Sequence, residues 1–448
     1  MSQLDLIIRN ATIVTHEGVR PGHLGVADGK IVSFEPEGKS LAEIDASGLH
    51  VFPGMIDAHV HFNEPGRADW EGFGTGTRAL AAGGGTLFFD MPLNAHPPTC
   101  DAASFGLKLA AAQTKCITDF AFWGGLVPGN LDRLAELAAR GVVGFKAFMS
   151  NSGIDDFSSV DDATLRAGMK LAASLHRPVA VHAESETLTS RLAAERVAAG
   201  KISIRDYLES RPVVAELEAI ERALNLAGET GCALHVVHVS SGQGVAMIAA
   251  AKRAGVDVTC ETCPHYLTLT DADMENIGAA AKCAPPLRNA EVQADLWREL
   301  QAEAVNTVGS DHSPSPPEMK QTANFFKVWG GISGVQHTLP LLLTEGHFHR
   351  GVALSQITKL LSFNVAERFH LPKTLGRIEL GAEANLALVD LSWSGQVNRH
   401  DLLTRHPISP YVGRTLTGRV VQTILRGKNI YKDGHIIGHR RGQLIKPI

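Results

Sequence analysis

The chain has 448 residues, 44% of them hydrophobic and 20% charged, with a formal net charge of −5. That balance excludes a disordered chain and leaves no basic footprint for nucleic acid or an anionic membrane. No apolar run approaches the roughly 18 residues of a membrane span, and the start, Met1-Ser2-Gln3-Leu4-Asp5, lacks the basic and apolar regions of a signal peptide, so a cytoplasmic protein is expected.

Residues from Leu4 to about Ile44 alternate in short β-rich pieces such as Leu6-Ile7-Ile8, Ala11-Thr12-Ile13-Val14 and Lys30-Ile31-Val32, with turn signals such as Asp28-Gly29 between them. The same texture returns in Asn385-Leu386-Ala387-Leu388-Val389-Asp390 and Arg419-Val420-Val421-Gln422-Thr423-Ile424-Leu425. A small β-sandwich domain built from both termini is expected, from residues 1–52 and 374–448.

Between them, residues 53–373 alternate strand-like and helical runs. The strands are expected at Met55 to His61, Gly85 to Met91, Asp119 to Trp123, Gly144 to Phe148, Pro178 to Ala183, Ala233 to Val239, Val256 to Thr262 and Asn306 to Asp311. Helices are expected between most of them, for example Asp101 to Lys115, Leu131 to Arg140, Asp161 to Leu175, Ala215 to Gly228 and Glu291 to Ala302. In the third of these, Leu165, Met169, Ala172 and Leu175 recur at the spacing of one helix face, and Asp161 and Asp162 sit where the helix dipole favours carboxylates. Eight such units predict an α/β fold, a (β/α)8 TIM barrel with insertions.

Smaller signals have plain readings. Gly83-Gly84-Gly85 lacks the spacing and following lysine of a phosphate loop and reads as a helix-to-strand turn. Ser313-Pro314-Ser315-Pro316-Pro317 reads as a rigid loop after the eighth strand. Six cysteines are scattered through the chain. Cys260 and Cys263 form a C-x-x-C that closes a strand-like run instead of opening a helix, so reduced thiols in or near a core are expected.

In this barrel fold active sites lie at the carboxyl ends of the strands. His59 and His61 sit two apart in an extended run, so their imidazoles face the same way. His182, His238 and Asp311 close the fifth, sixth and eighth runs, each after an apolar stretch. One histidine at a strand end is more often hydrogen-bonded than a ligand; four on one rim point to metal. Lys146, between Phe145 and Phe148, would bury a charge at a cost of several kcal/mol. One resolution is reaction of its amine with carbon dioxide. The carbamate is anionic and its two oxygens can bridge two divalent cations. Four positive charges then face three negative ones from the carbamate, Asp311 and a hydroxide.

The set H-x-H, Lys, His, His and Asp on successive strands resembles the amidohydrolase superfamily in its cyclic-amidase branch of dihydroorotases, hydantoinases (dihydropyrimidinases) and allantoinases. The likeness covers essentially the whole chain. It includes Asp5-Leu6-Ile7-Ile8-Arg9-Asn10-Ala11 near the start and Gly376-Arg377-Ile378 with Gly381-Ala382-Glu383-Ala384-Asn385-Leu386 near the end. The loops Glu64-Pro65-Gly66-Arg67, Trp70-Glu71-Gly72-Phe73 and Met91-Pro92-Leu93-Asn94 resemble those of allantoinases. Dihydroorotases similar to this chain carry an arginine where Asn63 stands, and hydantoinases tend to lack the Met-Pro-Leu-Asn loop.

The resemblance implies hydrolysis of one ring amide of a small neutral substrate, allantoin. His59, His61 and Asp311 would hold the more buried metal and His182 and His238 the other, with carboxylated Lys146 bridging the two. Zinc is the first choice, and cobalt, manganese or nickel also suit mixed nitrogen and oxygen ligands. Asp311 would carry the proton from the attacking water to the leaving nitrogen. Side chains of Asn94 and Ser313 and main-chain groups around Ala284 and Gly330 are the expected substrate contacts. Relatives are commonly tetramers, so a homotetramer is expected. The alternatives are a hydantoinase or dihydropyrimidinase, then a dihydroorotase. A scaffold protein that has lost its metal site is disfavoured, because all six ligand positions are filled.

Overall fold

In the computed structural model, residues 4–437 and 441–448 are described. Met1-Ser2-Gln3, which open the stretch read above for a signal peptide, lie outside them. Eight strands of the middle region run parallel: Met55–Val60, Gly85–Asp90, Asp119–Phe122, Phe145–Phe148, Val179–His182, Leu234–Val236, Val258–Thr262 and Thr307–Val308. The first three pair consecutively, and the last five pair consecutively, with Gly124–Gly125 added beside Phe145–Phe148. Val143 N–H donates to Phe122 O at 2.9 Å and His61 N–H to His312 O at 2.7 Å. These bonds join the two sets and close the barrel, as the alternating pattern predicts.

Every residue of these eight strands is buried. That is the demand of a parallel sheet packed on both faces. Four strands end one residue before the expected position, and two end three residues before it, the sixth at Val236 and the eighth at Val308. The backbone turns left-handed just beyond them, with φ 41° at His238 and 45° at Asp311. Such angles are uncommon for residues with a Cβ and end an extended run. The candidate ligands there sit in sharp turns at the rim instead of on the strands.

The helices follow the sequence pattern closely. Asp162–Ser174 begins behind Asp161, whose side chain accepts from Thr164 N–H at 2.8 Å, and it buries Leu165, Met169 and Ala172. The cap satisfies one of the free amides of the first turn, and burying Leu165 and Met169 contributes about 1.5–3 kcal/mol each. The glycine run is a helix-to-strand turn, as expected: the helix Phe73–Ala82 ends there and Gly84 takes φ 87° before the strand begins at Gly85. Cys260 and Cys263 are buried and unpaired.

Both ends of the chain build the second unit. Its strands form one hydrogen-bonded sheet of nine, in which the C-terminal hairpins reach the N-terminal strands through His50–Pro53. Leu386 stands opposite Pro53 and Leu388 opposite Val51, while Leu6 stands opposite Val26. The strand Leu4–Val14 pairs with Val19–Ala27 with a register shift between Ile8 and Ala11, and it pairs with Ser40–Asp45 along its start and with His50–Pro53 near its end. Ile8, Val26, Val51, Leu386 and Leu388 pack in one apolar cluster of this sheet. Only Gly54 separates the sheet strand His50–Pro53 from the first barrel strand. A Cβ on Gly54 would lie 2.3 Å from Thr86 Oγ1, so no larger residue fits. The last residues leave the sheet and lie along the third barrel strand, where Phe120 N–H donates to Gln443 O at 3.0 Å and Ile445 N–H to Phe120 O at 2.8 Å.

Candidate metal centre and active site

The carboxyl ends of the strands, with the turns that follow them, bring two groups of ligating side chains together. In the first, His59 Nε2 and His61 Nε2 lie 3.2 and 3.4 Å from Asp311 Oδ1. The ligand atoms of these three residues all fall within 4.8 Å of one another. Burial pushes the Asp311 carboxyl up, but His59, His61 and His238 outweigh it and hold the group well below the usual carboxylate range. It is therefore held anionic, the form that can ligate a metal. On its far side, His59 Nδ1 lies 2.6 Å from Glu261 Oε1. A carboxylate can only accept, so Nδ1 carries the hydrogen and the Nε2 lone pair faces Asp311.

In the second group, His182 Nδ1 lies 3.0 Å from His238 Nε2. The opposite nitrogen of His182, Nε2, donates to Glu184 Oε2 at 2.9 Å. Glu184 is itself paired with Arg211. Burial pushes Glu184 up, yet Arg211 and His182 hold it at about 2. The His182 ring stacks on Phe148 with centroids 4.6 Å apart. The rings of His59 and His238 are 5.4 Å apart, so the two groups adjoin.

Lys146 has no solvent exposure and is close enough to feel the charges of Asp311 in the first group and His238 in the second. Its Nζ has no hydrogen-bond partner among the described residues and lies 5.0 Å from the Phe148 ring centroid. Burial lowers its ammonium to about 7, against the pull of Asp311 and Glu261. A buried amine without an acceptor is costly, and His238 Nδ1 is likewise unpartnered. The donor set fits divalent cations: imidazole nitrogens with free lone pairs, one carboxylate, and an amine that becomes an anionic oxygen donor on carbamylation.

A cavity of 390 Å³ opens above these groups and is lined by His59, His61, His182, His238 and Asp311. All four expected substrate contacts, Asn94, Ser313, Ala284 and Gly330, also line it. The Asn94 amide donates to Ser313 Oγ at 3.3 Å and lies 3.4 Å from His61 Nδ1, so it also steadies that ring. Asn63 does not line the cavity; its amide donates to Pro314 O at 3.2 Å and ties the first loop to the eighth. A larger groove of 660 Å³ lies against Trp393, Arg419 and His337. The His59, His61 and Asp311 trio is still the sole group of this kind among the described residues.

Sequence reasoning missed Glu261, Glu184 and Arg211. Two signals were present. Glu184 stands two residues after His182, on the same face of an extended run. Glu261 is a carboxylate inside an apolar strand, as anomalous as Lys146.

Fold and site together define a metal-dependent barrel hydrolase, and the chain belongs to the amidohydrolase family, whose model matches residues 50–430. It is similar to the allantoinase of Rubrobacter xylanophilus, with 56% identity over 449 residues covering 100% of this chain and 98% of that one. It is 52% identical to the allantoinase of Deinococcus radiodurans, covering 99% of each. Among solved structures it is similar to the L-hydantoinase (dihydropyrimidinase) from Arthrobacter aurescens, with a TM-score of 0.97, 34% identity, and 99% of this chain and 100% of that chain covered.

Proposed function

We propose that this enzyme hydrolyses one ring amide of allantoin and opens its hydantoin ring to give allantoate. The observation that carries the reading is the end-to-end similarity to allantoinases at 56% and 52% identity. The rim chemistry supports it. His59, His61 and Asp311 would hold one divalent ion and His182 and His238 a second. Lys146 would bridge them: its amine nitrogen bonds to the carbon of carbon dioxide, loses a proton and becomes a carbamate anion. When bound, the two ions polarise the amide carbonyl and lower the pKa of water from ~15.7 towards ~7.

The chain's own groups then do the following. Glu261 and Glu184 fix the ring orientation of His59 and His182. Asp311 keeps 15% side-chain exposure toward the cavity and is anionic. It takes the proton from the attacking water and delivers it to the departing ring nitrogen, a relay worth roughly 10²–10⁴-fold. This addresses the main obstacle, because an amide anion leaves poorly. Asn94 and Ser313 face the ring and ureido group, with main-chain groups at Ala284 and Gly330 opposite.

A hydantoinase reading is the second, favoured by the 0.97 TM-score to an L-hydantoinase. Allantoin, hydantoin, dihydrouracil and dihydroorotate offered in parallel, with each product detected, separate the two. Allantoin is expected to turn over fastest; faster turnover of dihydrouracil overturns the assignment. Zinc as the native metal, a cytoplasmic location and a homotetramer belong to the same reading. Metal analysis, cell fractionation and light scattering measure them.

A further inference from the structure

Two lysines that take no part in the chemistry grip one wall of the cavity. Lys282 lies in the loop after the seventh barrel strand, and Lys320 ends the short turn Pro317–Lys320 after the eighth. Lys282 Nζ donates to the carbonyls of Phe325 at 2.6 Å, Val328 at 2.6 Å and Phe326 at 3.3 Å. Lys320 Nζ donates to the carbonyls of Gly331 at 3.0 Å, Trp329 at 3.1 Å and Ala279 at 3.4 Å. An ammonium has three donors and no acceptor, so each lysine is filled by main-chain oxygens alone. Neither forms an ion pair with a carboxylate among the described residues. Lys282 also lies 4.5 Å from the Tyr207 ring centroid and 5.2 Å from that of Phe325, the arrangement of a cation over aromatic faces.

The carbonyls gripped are almost all from one segment, residues 325–331, and that segment supplies Phe326, Val328, Trp329, Gly330 and Gly331 to the cavity wall. A trans peptide holds its C=O and the following N–H in opposite directions. With Trp329 C=O turned onto Lys320, the N–H of Gly330 is turned away from it. That N–H has no acceptor among the described residues, while its neighbours are spoken for: Trp329 N–H donates to Met319 O at 3.0 Å and Gly331 N–H to Lys282 O at 2.7 Å. The end of the segment packs closely against the loop that carries Ser313. Gly331 has φ 141°, and a Cβ there would lie 2.0 Å from Ser313 O.

We propose that Lys282 and Lys320 are positioning residues for substrate recognition, clamping segment 325–331 so that the Gly330 N–H is presented to an oxygen of the cyclic amide. The proposal rests on the cyclic-amide hydrolase reading above. Acting through backbone, the clamp sets how tightly the ring is held and leaves the ligand groups untouched.

The test uses the full-length, metal-loaded enzyme and whichever cyclic amide the wild type turns over fastest. A wild type inactive on allantoin but active on hydantoin would overturn the substrate assignment while leaving the clamp testable. Lys320→Ala is expected to raise KM about tenfold, the loss of one hydrogen bond, with metal content unchanged and kcat within about threefold. Ethylammonium or propylammonium chloride, which can refill the carbonyl cage, is expected to restore KM; tetramethylammonium chloride, which has no N–H, is not. An unchanged KM, or equal recovery with both kinds of salt, overturns the proposal. Should Lys320→Ala not fold, Lys320→Arg and Lys320→Gln replace it. Tighter substrate binding by the arginine variant is required, and equal KM values overturn the proposal.

Discussion

Glu261 and His59 meet at 2.6 Å across 202 positions of sequence. Both side chains are fully enclosed, with 0% and 1% exposure. The contact decides which imidazole nitrogen keeps its lone pair, and therefore which can ligate. Glu261→Ala is expected to lower metal affinity about 10–100-fold while leaving the strand intact, measured by competition with a calibrated chelator. Unchanged affinity would show that packing alone orients the ring.

Lys146→Ala is expected to lose metal and activity together, because the bridge between the two groups goes with the side chain. A short carboxylic acid such as acetate or propionate should restore part of both. A variant that is fully metallated and fully active without any acid excludes the bridge.

Asp311→Asn removes the base and keeps the shape. In samples matched to the wild type for metal content, kcat is expected to fall about 10²–10⁴-fold. Equal kcat values would remove Asp311 from proton transfer.

His337 gives a pH signature far from the metal groups. Its ring is 7% exposed, and burial lowers it from 6.5 to about 4, against the opposing pull of Asp401. The folded state therefore resists protonation. The stability tied to the neutral ring is fully present above pH 6.5 and is lost as the pH falls towards 4. At about 1.4 kcal/mol per pH step, the loss reaches about 3 kcal/mol over that window. Thermal unfolding of the wild type should fall more steeply than that of His337→Leu between pH 6.5 and 4; parallel curves refute this.

The barrel was legible because its signals are local. Apolar runs such as Val179 to Val181 and caps such as Asp161 announce strands and helices within a few residues. The histidines and Asp311 were legible because they stand at the ends of those runs. Their left-handed backbone at His238 and Asp311 was not, since only closure of the rim selects that conformation. Glu261, Arg211 and Lys320 were also hidden, because each acts on a partner distant in sequence and leaves no periodicity. The terminal sheet was recognised as β, but its single continuous strand order depends on the pairing of Leu386 to Val389 with His50 to Pro53, which no local pattern records.

That pairing has a bearing on biosynthesis. The strand His50–Pro53 leaves the ribosome early, and its neighbour Leu386–Gln396 follows more than three hundred residues later. Through that interval it presents an unpaired edge, open to self-association, while Gly54 connects it directly to the strand bearing His59. A chain cut short before Leu386 would lack the strand that covers this edge and would leave it bare.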